Sequence, residues 1–300
     1  MGEDREGFRG EAGLSMKRAY ASLNHGQVHY VEAGSGTPLL LLHSAPRSSR
    51  AYRFLIPLLA PHLRCIAPDL PGFGQSDPLG GKVTMEALGG AMVEFLGALG
   101  IAKAHVFGYH TGNKVAAAMA ADHRTQVDRV VLCGQIHSII PDRDARNDAI
   151  HHIVDKYFAQ FPSSPSGEHL LRRWQADWSD VTGFAQPRSL FSKPVITEAD
   201  IEDLKIRVLD HVQGVAAIQA TYGANFDYDF GGALPRIAAK TLMLELVMPD
   251  EEHLGRQLDA VCRLLKKGRG ETIHNAGRVA IESHAKEITQ SLITFLNEVD

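Results

Sequence analysis

The chain has 300 residues and three cysteines, with 31 Lys and Arg against 35 Asp and Glu, a formal net charge of −4. A chain of this length buries most of its apolar surface without disulfide staples, as one large α/β domain with an insertion or as two modest domains. The mild acidity and the scatter of basic residues exclude a strong basic field, so nucleic acid is not expected as a partner.

From Met1 to Lys17 the sequence is polar, Gly-rich and charged, without the apolar core of a secretory signal, and residues 1–19 read as a flexible extension. Tyr20 to Glu32, with Asn24-His25-Gly26 at its centre, reads as an antiparallel hairpin. Pro38 to Leu42 is a buried strand ending at His43-Ser44-Ala45-Pro46, and helical spacing follows from about Ser49 to Ala60. Arg64 to Ala67 is the next strand, closing on Pro68 to Asp77, a loop dense in turn residues. A helix is expected over Thr84 to Leu99, then a strand over Ala104 to Phe107. Gly108-Tyr109-His110-Thr111-Gly112 comes next, followed by a helix from about Thr111 to His123. Val127 to Cys133, Thr241 to Val247 and Glu271 to Ile273 read as the remaining strands, and Ser283 to Asn297 as a closing amphipathic helix. The basic cluster Arg263 to Arg269 reads as a solvated helix end. No apolar run approaches the roughly 18 residues of a membrane span, so no membrane partner is expected and the chain reads as cytoplasmic. Cys65 and Cys133 lie in apolar runs and read as reduced, buried thiols.

Strands alternating with helices predict an α/β fold: a mostly parallel central sheet of about eight strands flanked by helices. Between residues 136 and 234 the alternation stops. That stretch is helical in pattern, carries Trp174 and Trp178, and is broken by Pro162, Pro165, Pro187 and Pro194, which predicts a helical lid inserted into a core of residues 20–135 and 235–300.

Several stretches together resemble the α/β-hydrolase fold. They are Leu39 to Ser44, Ala67 to Asp77, the glycine-flanked turn at 108–112 and Leu234 to Leu244, and the likeness runs from about Ala21 to Leu296. The strand–turn–helix context at 104–123 is where that fold carries its G-x-S-x-G nucleophile elbow. Here the pattern is G-x-H-x-G, with His110 at the apex.

The resemblance implies a nucleophile at the elbow, a histidine after the last strand and an acid after an earlier one. It places Arg278 of Asn275-Ala276-Gly277-Arg278 at the histidine position, and Asp250 of Pro249-Asp250-Glu251 at the acid position. Two of the three members are therefore changed, and ordinary serine esterase chemistry is not implied. His274 and His284 flank the region, and either could supply an imidazole. The oxyanion donors implied are the Thr111 amide and that of Ser44 or Ala45, which need no particular side chain. Tyr109, beside the apex, either lines the pocket or fills the turn, and Trp174 would line it from the lid. The helix N-terminus beginning at Thr111 favours anions and disfavours a charged imidazole, so His110 is expected to be neutral near neutral pH.

Three readings follow. The leading one is a hydrolase of an ester, lactone or similar acyl substrate, with His110 attacking or activating water. The second is a lyase-type enzyme, with His110 moving a proton and Arg278 clamping an anionic group. The third is a catalytically inactive ligand-binding member. All three imply a small-molecule partner, possibly anionic, and allow a homodimer, a frequent state of this fold. His43 is expected to serve structure around the oxyanion loop, and Asp69 and Asp77 to bond their own backbone. His151 and His152 are adjacent on a helix and point apart. No ligand spacing predicts a metal, and no glycine-rich phosphate motif predicts a cofactor.

Overall fold

The computed structural model describes residues 16–134, 164–179, 198–247, 255–276 and 280–298. The expected N-terminal extension falls largely outside these residues, as do Asp250, Arg278, His151, His152 and much of the stretch read as a lid.

Eight strands form one sheet: β1 (Lys17–Leu23), β2 (Gly26–Ala33), β3 (Pro38–Leu42), β4 (Arg64–Pro68), β5 (Ala104–Tyr109), β6 (Val127–Cys133), β7 (Lys240–Leu246) and β8 (Gly268–Ile273). Their order is β1-β2-β4-β3-β5-β6-β7-β8. The β1–β2 hairpin and the β2–β4 pair are antiparallel, and every pair from β4 to β8 is parallel. Among the described residues the α-helices longer than one turn are α1 (Leu55–Leu59), α2 (Met85–Ala98), α3 (Thr111–Asp122), α4 (Glu168–Ser179), α5 (Glu198–Asp227), α6 (Leu258–Leu264) and α7 (Ala285–Leu296).

Side chains alternate across a strand, and the sheet is buried on both faces. Leu40, Leu42, Val106, Val130, Leu132 and Met243 join one core with α2 and α3. Leu39, Leu41, Phe107, Tyr109, Val131, Leu242 and Leu244 join the other with α1 and α7. Unbroken apolar runs such as Leu39 to Leu42 are what a doubly covered parallel strand requires. Each of these leucines is fully buried, and burying such a side chain stabilises by about 1.5–3 kcal/mol. Cys65 and Cys133 are buried free thiols, as their apolar runs predict, and Cys262 is a half-buried free thiol.

Three segments depart from expectation. The helix expected over 49–60 divides into a 3-10 turn at Ser49–Tyr52 and α1. Pro57 lies in the first turn of α1, where its missing N–H is tolerated. Strand β5 continues through Gly108 to Tyr109, straight into the apex. Strand β8 begins at Gly268, before the expected start, and only Arg263 of the basic cluster lies in a helix end; Arg269 is on the strand and bonds Glu271 at 2.7 Å.

Within 136–234 the described residues contain no strand. The thirty-residue α5 crosses the loops that follow β3 and β4. A Cβ on Gly72 would lie 2.7 Å from Ala217 Cβ, and one on Gly214 would lie 2.6 Å from the Phe73 ring, so glycine permits the approach on each side. Ile218 of α5 enters the core shared by α2 and α3.

Candidate active site

The parallel strands direct their following loops to one edge of the sheet, where open α/β folds place ligands. There β5 turns into α3 within a single residue. His110 takes φ 47 and ψ −109, outside the regions side chains favour. Its N–H donates to the Cys133 carbonyl at 3.0 Å, and its carbonyl accepts from the Asn113 N–H at 2.9 Å. The Asn113 side-chain amide also donates to Cys133, at 3.1 Å, so the end of β6 clamps the turn from two directions.

Both flanking glycines are required by contact. A Cβ on Gly108 would sit 2.2 Å from the Gly112 carbonyl oxygen, and one on Gly112 would sit 2.0 Å from that of Leu42. The second contact also brings the start of α3 against the end of β3, where His43 and Ser44 begin the next loop. The His110 imidazole is half-buried against Gly134 and stands edge-on to the Tyr109 ring at 4.3 Å between centroids. A Cβ on Gly134 would lie 3.2 Å from its Cε1 and Nδ1.

His43 anchors that loop. The Leu70 N–H donates to His43 Nε2 at 2.8 Å, so Nδ1 carries the proton and donates to the Ser44 carbonyl at 2.9 Å. Burial pushes the His43 pKa down, which keeps this neutral tautomer. The Ser44 carbonyl accepts a second bond, from the Arg47 N–H at 2.8 Å. Because the peptide is planar and trans, fixing that carbonyl turns the Ala45 N–H the opposite way. Of the two donors considered from sequence, Ala45 is the one whose amide direction is set. The Thr111 N–H, first in α3, has no intrahelical acceptor.

Asp69 joins the loop to its surroundings. Oδ1 accepts from the Ser49 N–H at 2.7 Å, while Oδ2 accepts from the Gln75 N–H at 2.9 Å and from His29 Nδ1 at 2.8 Å. Burial opposes ionisation here, but the His29 bond and the two amides outweigh it and hold the carboxyl at about 2. The Asp77 carboxylate accepts from the Gln27 N–H of β2, tying the loop after β4 to the hairpin rather than bonding its own loop.

Beyond the loop lies a buried charge network. Arg47, Arg50 and Arg53 face Asp203, Arg207 and Asp210 of α5, and Glu282 of the one-turn helix Ala280–Ser283. Asp210 accepts from Ser48 Oγ at 2.6 Å, Arg50 Nε at 2.9 Å and Arg47 Nε at 3.2 Å. Arg47 also donates to Glu282 at 2.8 Å. Burial works against the Arg47 charge, yet Glu282 and Asp210 more than offset it and raise its pKa. Sequence reasoning passed over Asp210, Glu282 and Tyr222, whose hydroxyl reaches the Ala45 carbonyl at 3.5 Å. Their partners in the loop after β3 lie between 160 and 235 residues away in the chain, so no local pattern marks them.

Of the other candidates, Tyr109 is buried in the core beside Tyr52 and Phe107, and Thr111 is buried at the start of α3. His274 is exposed just past β8, before Asn275 at φ 57. His284 accepts or donates a bond with Ser283 Oγ at 2.8 Å at the start of α7. Trp174 is half-buried on α4, which packs on α5. Glu245, a fully buried carboxylate near the end of β7, is committed elsewhere. It accepts from the Gln257 and Leu258 N–H groups at 2.6 and 3.1 Å, capping α6, and from Arg256 at 2.6 Å. Among the described residues no group of three metal-ligating side chains converges, and no helix is long and apolar enough to cross a membrane.

A mostly parallel sheet with an ionisable apex on a strand–turn–helix elbow, packed beside the loop that follows β3, defines a class of scaffold. The chain belongs to the alpha/beta hydrolase fold family, whose model matches residues 37–193. It is 40% identical over 128 residues to a soluble epoxide hydrolase of a Corynebacterium species, covering 42% of this chain and 44% of that protein. It is 36% identical over 110 residues to haloalkane dehalogenase 2 of Mycobacterium tuberculosis, covering 36% and 38%. These matches span less than half the length of either relative. Among solved structures, an epoxide hydrolase, CorEH, superposes with a TM-score of 0.72 at 24% identity over 94% of this chain and 98% of that one. A thermophilic esterase from Thermogutta terrifontis does so with a TM-score of 0.69 at 21% identity, over 93% and 98%. At these identities the likeness in structure carries the fold alone.

Proposed function

We propose that the protein is a hydrolase of small acyl substrates, esters or lactones, in which His110 replaces the usual elbow nucleophile. The observation that carries this reading is the position of His110, an ionisable group at a strained apex directly before the free end of α3. The names of the relatives, an epoxide hydrolase and a haloalkane dehalogenase, support water as the second substrate. In the proposed reaction the neutral imidazole takes a proton from a bound water, and the hydroxide adds to the substrate carbonyl. The Ala45 and Thr111 amides hold the resulting oxyanion. Collapse expels the alkoxide, which recovers the proton from the imidazolium, so His110 ends neutral. Residues 136–234 are taken as a cap over the site, with Trp174 contributing to its wall. Asp250 and Arg278 are assigned on sequence alone, Asp250 orienting an imidazole and Arg278 meeting an anionic group of the substrate.

The test is turnover of short- and medium-chain aryl esters and lactones by the native protein and by His110→Ala. Removing a general base or nucleophile is expected to lower kcat by at least about 10²-fold. A native protein silent across the whole panel overturns the reading, and equal turnover in both proteins removes His110 from the chemistry.

A further inference from the structure

The contacts made by α5 reach the loop that carries the oxyanion donors. We infer that Asp210 is a positioning residue, through which α5 sets the direction of the Ala45 amide, so that docking of this helix and competence of the anion site are one event. Asp210 itself touches no reacting atom. Its fully buried carboxylate bonds the Ser48 hydroxyl at 2.6 Å, Arg50 Nε at 2.9 Å and Arg47 Nε at 3.2 Å. These residues lie two to five positions after Ala45.

The chain of contacts is continuous. Asp210 fixes the Arg47 side chain and Ser48, and the Arg47 N–H bonds the Ser44 carbonyl at 2.8 Å. The planar Ser44–Ala45 peptide transmits that orientation to the Ala45 N–H. Ser48 is also the N-cap of the 3-10 turn, accepting from the Arg50 N–H at 3.3 Å, so its hydroxyl is free to donate only towards Asp210. If α5 left, Arg47 and Arg50 would lose a buried counter-charge, an expensive state that couples the loop to the helix. The Tyr222 contact to Ala45, at 3.5 Å, is at the limit of hydrogen bonding and secondary to Asp210. Asp203, seven residues earlier on α5, bonds Arg53 and Arg207; it acts on Arg47 only at a distance, more weakly than Glu282 and Asp210, and bonds neither Arg47 nor Ser48, which makes it the control.

The experiment compares Asp210→Asn, Ser48→Ala and Asp203→Asn with the native full-length protein. Amide exchange is read at Arg47 and Ser49, whose N–H groups donate to the Ser44 carbonyl and to Asp69 Oδ1. Asp210→Asn is expected to speed exchange there at least tenfold and Ser48→Ala a few-fold, with Asp203→Asn within twofold of native. A folded Asp210→Asn protein exchanging within twofold of native overturns the inference, as does an equal effect of Asp203→Asn. If Asp210→Asn does not fold, Ser48→Ala decides, and unchanged exchange in it overturns the inference.

A kinetic arm rests on the hydrolytic reading. On an ester that the native protein turns over, Asp210→Asn is expected to lower kcat at least tenfold with KM within twofold. A change confined to KM overturns positioning. No turnover by the native protein defeats the hydrolytic reading alone and leaves the exchange result standing.

Discussion

His110 holds a backbone conformation, φ 47 and ψ −109, that glycine alone enters freely. Such a residue stores about 1–3 kcal/mol of strain, kept in place here by the two bonds to Cys133 and from Asn113. His110→Gly is therefore expected to stabilise the protein by about 1 kcal/mol, a rise in Tm of roughly 2–4 °C for a chain of this size class. His110→Ala keeps a Cβ and gains nothing. A glycine variant that melts below the alanine variant would mean that the imidazole contacts with Gly134 and Tyr109 outweigh the strain. Gly112→Ala tests the opposite case. Its Cβ would meet the Leu42 carbonyl oxygen at 2.0 Å and carbon at 2.6 Å, both backbone atoms that cannot swing away. A loss of about 3 kcal/mol or more is expected in chemical denaturation, and a near-native midpoint would show that α3 can shift along β3.

At the scale of elements, Asp69 pins β2, the 3-10 turn and the loop after β4 to one carboxylate. Its folded value is depressed from 3.8 to about 2, so its contribution is present above the ordinary value and lost as pH falls through about 2. A depression of that size corresponds to on the order of 2–3 kcal/mol. Asp69→Asn is expected to cost about that much at neutral pH and to flatten the acid limb of a stability profile below about pH 4. An unchanged acid limb would place the titrating group elsewhere. The element pattern itself was legible where burial is two-sided or alternation regular, as in Leu39 to Leu42 and the β1–β2 hairpin. Strand β8 was half-hidden because Gly268 and Gly270 look like turn residues. They are glycine because a Cβ would meet Leu265 at 2.6 Å and Leu258 at 2.3 Å, side chains of or beside α6. The apex at 110 and its glycines could be read from spacing, since they lie within five residues. The acid hub at Asp210 could not, since its meaning depends on a loop 160 residues away.

At the scale of the whole molecule the open matter is whether the helical pair α4–α5 melts with the sheet or before it. Buried ion pairs, the Gly214–Phe73 and Gly72–Ala217 approaches and the entry of Ile218 into the sheet's own core all bind α5 to the β3 and β4 loops. The chain's two tryptophans, Trp174 and Trp178, both lie on α4, so their fluorescence reports the helical pair while far-UV circular dichroism reports the entire fold. One cooperative unit requires the two thermal transitions to coincide. His211 of α5 supplies a way to load the junction selectively. Burial first, and then Arg173 of α4, drive its pKa from 6.5 to about 3, so it stays neutral when folded. The unfolded chain takes up a proton below about 6.5 that the folded one refuses. The stabilisation is therefore full above that pH and lost progressively towards 3, about 2 kcal/mol of it by pH 5. Between pH 7 and 5 both transitions are expected to move down together, and His211→Gln to remove the His211 share of that slope, leaving the share of buried His43 and His105, whose pKa values burial also lowers. A fluorescence transition that falls ahead of the dichroism would show that the helical pair unfolds on its own, and that Asp210 holds the loop only while the pair is docked.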